Sequence, residues 1–132
     1  GAFAPRLVSS PLPGVPLKRV LFQYAIGDRS VPNPQNTGLV RAANLRVQTS
    51  VFRFDRFRGR LTALGNNPHQ YLTSVLDDQA SLAIAVGAQA QALLFLGAAD
   101  NAVPDVNSVL RLVLGGDAFE TPAFLTETTN FQ

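Results

Sequence analysis

The chain has 132 residues, 46% hydrophobic and 15% charged, which makes one domain at most and excludes disorder over its whole length. With no cysteine and one histidine, it excludes disulfides, thiolate metal sites, a cysteine nucleophile and any site of several histidines. Its formal net charge of +2 gives little support to nucleic-acid binding.

Residues 1–17 carry Pro5, Pro11, Pro13 and Pro16, which fix φ and remove backbone donors, so an extended tether or surface loop is expected there. The chain starts Gly-Ala-Phe without a signal segment, and reads as a processed product or a piece of a longer polypeptide. Residues 18–132 form the second unit. The apolar run at 18–26, rich in β-formers, predicts a mostly buried strand, ended by the turn chemistry of Gly27-Asp28-Arg29-Ser30. Asn33 can cap a helix, with Pro34 at its first position. That helix is expected to run to about Asn44, with Leu39, Val40 and Ala43 facing inward.

Residues 47–58 alternate loosely, which predicts an edge strand or packed loop, and residues 60–64 predict a short strand. Gly65-Asn66-Asn67-Pro68 stops it, and His69 follows. Asp77 or Asp78 can cap a long helix from about Gln79 to Ala99. A turn at Pro104-Asp105 precedes a β-like run at 109–114, closed by Gly115-Gly116. From Asp117 the chain reads as extended and irregular.

Strand, helix, strand, helix implies a parallel α/β sheet with right-handed crossovers. Two or three strands are few for a parallel sheet, so another segment is expected to complete it. In such sheets, sites form outside the carboxyl ends of the strands. Asp28 and His69 each follow a predicted strand, and neighbouring parallel strands bring them to one edge. A carboxylate bonded to one imidazole nitrogen fixes the tautomer and leaves the other nitrogen to move a proton. The plainer alternative is that Asp28 shapes its turn and His69 is an ordinary loop side chain. The chain is then a small, non-catalytic α/β binding module.

The segment Val20 to Ile26 followed by Gly27-Asp28-Arg29-Ser30-Val31-Pro32-Asn33 resembles the stretch of α/β-hydrolases that carries the acid of the triad. Asn66-Asn67-Pro68-His69-Gln70-Tyr71-Leu72 and the helix after it resemble the end of that fold, where the histidine follows the acid. The chain is also similar to large bacterial lipase-like hydrolases in Ile26-Gly27-Asp28, Val31-Pro32-Asn33 and Leu39-Val40-Arg41-Ala42-Ala43-Asn44-Leu45. The same likeness extends to the tail, in Phe119-Glu120-Thr121-Pro122 and Asn130-Phe131. The resemblance covers roughly residues 18–131. It implies the C-terminal portion of an α/β-hydrolase sheet and a serine hydrolase acting on carboxylic esters. It makes Asp28 the acid and His69 the base, needs no metal or organic cofactor, and favours a secreted or cell-envelope bacterial protein. One departure matters: none of the seven serines sits in the nucleophile elbow Gly-x-Ser-x-Gly. The serine is therefore expected upstream, on the same precursor or a second chain, and this chain alone is expected to be inactive.

Other features lead to weaker readings. Residues 52–60 interleave three phenylalanines with four arginines, a pattern that suits single-stranded nucleic acid but equally a half-buried strand. Residues 82–99 hold no charge, but Gln89, Gln91, Gly87 and Gly97 favour a helix buried in an α/β core over a membrane span. Capping accounts for Asp77-Asp78. Gly115-Gly116 lacks the residues of a phosphate loop.

Overall fold

A computed structural model describes residues 3–75 and 78–129. The apolar run predicted as a strand forms β1 (Phe22–Ala25). Its partner is β2 (Thr49–Phe52), parallel to it from Phe22↔Thr49 to Ala25↔Phe52. A short β3 (Phe119–Glu120) lies antiparallel on the other side of β2, with Val51↔Glu120 and Phe52↔Phe119. The result is an α/β unit with a small mixed sheet in the order β1-β2-β3.

Side chains alternate across a strand, so the sheet has two apolar faces. Ala25, Phe52 and Phe119 on one face join a core with helices α4 (Gln79–Gly97) and α5 (Asn107–Leu114), through Ile84, Ala88, Leu110 and Leu114. On the other face, Phe22 packs against Val40, Ala43 and Leu45 of helix α2 (Asn33–Ala43) and the residues after it. Asn44 ends α2 in the left-handed conformation (φ 55°), near where the sequence places its end.

The first residues of the expected tether are docked. Helix α1 (Pro5–Val8) is a single turn, and Ala4 before it is buried with Val40 and Ala43.

Three short apolar runs fold differently from expectation. Residues 47–58 do not make an edge strand; β2 is the central strand, with all four residues buried, and a single turn α3 (Phe54–Phe57) follows. A strand covered on both faces has no polar side to alternate with, which is why its pattern is loose. Residues 60–64 form no strand but lie in 3₁₀ turns at Arg58–Arg60 and Thr62–Leu64. Their apolarity serves the core: Leu61 and Leu64 are 0% and 6% exposed, each burial stabilising by about 1.5–3 kcal/mol. The run at 109–114 is helical because Leu110 and Leu114, four apart, share one buried face, while Val109 and Leu112 are exposed. Gly115 closes α5 at φ 71°.

Helix α4 begins where expected, with the Asp78 side chain accepting the Ser81 N–H at 2.7 Å; Asp77 lies outside the described residues. The helix is half-covered rather than wholly buried. Ile84, Ala85, Ala88 and Phe95 face the core, whereas Leu82, Val86, Leu93, Leu94 and Leu96 are exposed. Among the described residues it is the one helix long and apolar enough to cross a membrane. Its buried Gln91 accepts from Gln23 Nε2 at 3.0 Å and donates to the Pro104 carbonyl at 2.7 Å, tying α4 to β1. Gly87 lets α5 approach closely, since a Cβ there would lie 3.1 Å from Leu110 Cδ1.

The phenylalanines of 52–60 are buried: Phe52, Phe54 and Phe57 belong to the main core. Arg53 bonds Asp55 and Glu120, Arg56 bonds Glu120, and Arg60 donates to the Leu114 carbonyl at the end of α5.

Candidate functional site

Beyond β1 the ladder continues for one residue, with Ile26 N–H bonded to the Phe52 carbonyl at 2.9 Å. Gly27 then turns the chain at φ 81°, a conformation that a Cβ disfavours. Its N–H donates to Asn33 Oδ1 at 3.2 Å. Asn33 is thus not the helix cap that the sequence suggests; Pro32 occupies the cap position. The Asn33 amide braces the loop that carries Asp28 instead, and its Nδ2 donates to the Thr128 carbonyl at 2.6 Å.

Asp28 follows, buried at 7% exposure. Its Oδ1 accepts the N–H groups of Ser30 at 2.7 Å and Val31 at 3.0 Å. This is the turn-forming role that the plainer reading gives it. It uses one oxygen only. Oδ2 lies 2.9 Å from His69 Nδ1.

His69 does not follow a strand directly. It sits in a 3₁₀ turn, Pro68–Gln70, reached by the successive turns that continue from β2. Pro68 is buried and anchors the turn, while the imidazole stays 45% exposed. The arrangement therefore pairs a nearly buried carboxylate with a half-exposed imidazole. With Nδ1–H donated to Oδ2, the neutral ring offers Nε2 as an acceptor. Among the described residues no hydroxyl is hydrogen-bonded to this ring.

Two residues of the site are not singled out by the sequence. Asn67, quoted in the strand stop and in the segment around His69 but given no role, accepts the Arg29 N–H at 3.1 Å and the His69 N–H at 3.3 Å. Tyr71 packs under the histidine turn, its ring 5.0 Å from Phe52 and 6.3 Å from Phe119. Burial and then the charge of Asp28 push the Tyr71 phenol well above the usual tyrosine range, and its hydroxyl has no partner among the described residues. An Asn that accepts two backbone N–H groups leaves no periodic trace, and a Tyr in an apolar stretch reads as core.

Among the described residues no group of three His, Asp or Glu is placed to hold a metal. A cleft of about 320 Å3 lined by Tyr24, Arg53, Glu120 and Phe124 includes neither Asp28 nor His69. The same is true of a groove of about 390 Å3 between α4 and α5. In comparison with known proteins, the chain matches no protein-family model, and no curated protein or solved structure is significantly similar to it.

Proposed function

We propose that this chain supplies the acid, Asp28, and the base, His69, of a Ser-His-Asp triad in a serine hydrolase of esterase or lipase type that cleaves carboxylic esters. The nucleophilic serine and the oxyanion donors come from an upstream segment or a partner chain, which also extends the sheet into an α/β-hydrolase domain. The observation that carries this reading is the 2.9 Å approach of His69 Nδ1 to Asp28 Oδ2, with Oδ1 already engaged by two backbone N–H groups.

The bond to Oδ2 holds the imidazole with its proton on Nδ1 and Nε2 toward the incoming group. Nε2 takes the proton of the attacking serine, and the imidazolium so formed is stabilised by the Asp28 carboxylate. Nε2 then gives that proton to the departing alcohol. Water repeats the sequence on the acyl-enzyme, with His69 again as base. Two observations support a contribution from elsewhere. The sequence has no Gly-x-Ser-x-Gly, and the three-stranded sheet of the described residues is smaller than the ~4–6 strands usual for such sheets.

The test is denaturing mass spectrometry of the purified sample after treatment with a fluorophosphonate probe. The expected result is an adduct on a Gly-x-Ser-x-Gly serine of an accompanying or longer polypeptide. A precursor or assembly containing this chain in which no serine is labelled would contradict the reading and leave the non-catalytic module; a lone unmodified species of 14.1 kDa would leave both an inert fragment and that module.

A further inference from the structure

We infer that Asn67 is a positioning residue that aligns His69 with Asp28. This rests on the triad reading of that pair. The Asn67 side chain joins the two loops that carry the pair. Oδ1 accepts from the backbone N–H of Arg29, the residue after Asp28, at 3.1 Å. The same oxygen accepts from the backbone N–H of His69 at 3.3 Å. Nδ2 donates to Ser30 Oγ at 3.2 Å. The amide can hold only this orientation, because two backbone N–H groups need an oxygen between them.

The geometry links both ends of the His69–Asp28 bond to one planar group. Ser30 is also the residue whose N–H fixes Asp28 Oδ1 at 2.7 Å. Asn67 therefore sets where the carboxylate stands and where the histidine backbone stands relative to it. The imidazole is 45% exposed, so solvent competes for Nδ1 unless the backbone places it on Oδ2. A misplacement on the order of 1 Å costs about 100-fold in rate where a proton transfer must be aligned. Asn67 touches no reacting atom, and its effect passes through His69.

A purely structural role, as a cap of the turn at Pro68, would change stability alone. The deciding readout is the tautomer of the neutral His69 ring and the water exchange of its Nδ1 proton, followed by NMR on the full chain labelled with ¹⁵N. In the native chain the Nδ1–H tautomer predominates. In Asn67→Ala the ring relaxes toward the Nε2–H form, which the free histidine side chain favours in water, and the Nδ1 proton exchanges at least about tenfold faster. Asn67→Asp keeps the acceptor for both N–H groups, and the Ser30 hydroxyl can turn to donate to it, so the native tautomer is retained. Asn66→Ala, one residue away and exposed, leaves the native signature.

If Asn67→Ala does not fold, Ser30→Ala decides. It removes one arm of the clamp and leaves every backbone bond, and it raises the Nδ1 exchange rate a few-fold. A folded Asn67→Ala with native tautomer and exchange overturns the inference, as does an unchanged Ser30→Ala where Asn67→Ala is unfolded. A native chain that itself lacks the Nδ1–H tautomer overturns the triad reading instead, so the two failures are distinct. In the assembled enzyme, Asn67→Ala lowers kcat by about 10- to 100-fold with KM nearly unchanged.

Discussion

His69 meets Asp28 on the carboxylate oxygen that the turn does not use: Nδ1 is 2.9 Å from Oδ2, while Oδ1 takes the Ser30 and Val31 N–H groups. The turn role and the proposed triad role therefore use different oxygens of one side chain and can be separated by mutation. Asp28→Asn keeps an oxygen for the turn, so stability changes by less than about 1 kcal/mol. Asp28→Ala strands two backbone donors and costs about 1–3 kcal/mol. On the proposed triad, both variants lose activity in the assembled enzyme, Asp28→Asn by about 10⁴ in kcat, because the imidazole loses the partner that fixes its tautomer. Denaturant melts beside ester turnover check this. An Asp28→Asn enzyme with native kcat would remove the carboxylate from the mechanism.

The loop that carries Asp28 depends on Gly27. At φ 81° a Cβ meets the following carbonyl oxygen, so Gly27→Ala should cost about 1–2 kcal/mol. It should also loosen the His69–Asp28 contact, since Gly27 N–H is the donor to Asn33. Equilibrium unfolding of the variant measures the cost; no loss of stability would mean that the loop holds another conformation.

Two buried tyrosines are expected to contribute to a loss of stability at alkaline pH. Tyr24 is pushed up to about 12 by burial first and then by the charge of Glu120, against a smaller opposing effect of Arg53. Tyr71 is raised by burial and then by Asp28. An unfolded tyrosine releases its proton near pH 10, while the folded ones hold theirs to higher pH. Above about pH 10 the unfolded chain therefore binds fewer protons than the folded one, and stability falls as pH rises. Neither hydroxyl has a partner among the described residues, so Tyr24→Phe and Tyr71→Phe should be neutral or slightly stabilising at neutral pH. The double variant should flatten the alkaline loss. Unfolding midpoints at about pH 8 and about pH 11 test this, and an equal alkaline loss in the double variant would contradict it.

The acid limit includes the start of α4. Burial works against the Asp78 charge, but hydrogen bonds from Ser81, Ala63 and Thr62 outweigh it and hold the carboxyl below its ordinary range. Its contribution is present in full above the unfolded value near 3.9 and is lost as pH falls through the lower folded value. Asp78→Ala should cost about 1 kcal/mol at neutral pH and much less at acid pH. The same cost at both would mean that the charge plays no part.

Several elements around the candidate site were legible because their signals are local. The β-rich run ending in Gly27-Asp28, the helix after Asn33-Pro34 and the cap of α4 at Asp78 all rest on neighbouring residues. Short apolar runs were not legible in the same way. Residues 60–64 and 109–114 are too short for period 2 and period 3.6 to separate by composition. Leu61 and Leu64 are decided by the core they plug, and Leu110 and Leu114 by the α4 surface they meet. Asn107 is a further case: its amide takes the Ala118 and Phe119 N–H groups and holds β3 in place, a contact between residues far apart in the chain. The Asn67 bond to the Arg29 N–H likewise joins residues distant in sequence.

The most direct measurement is ester hydrolysis by the assembled enzyme carrying His69→Ala, beside the native enzyme and with fold and assembly verified. The expected result is a fall in kcat of at least about a thousand-fold, as removal of a triad member produces. A native kcat in that variant would show that His69 moves no proton in the reaction and would overturn the assignment of the pair.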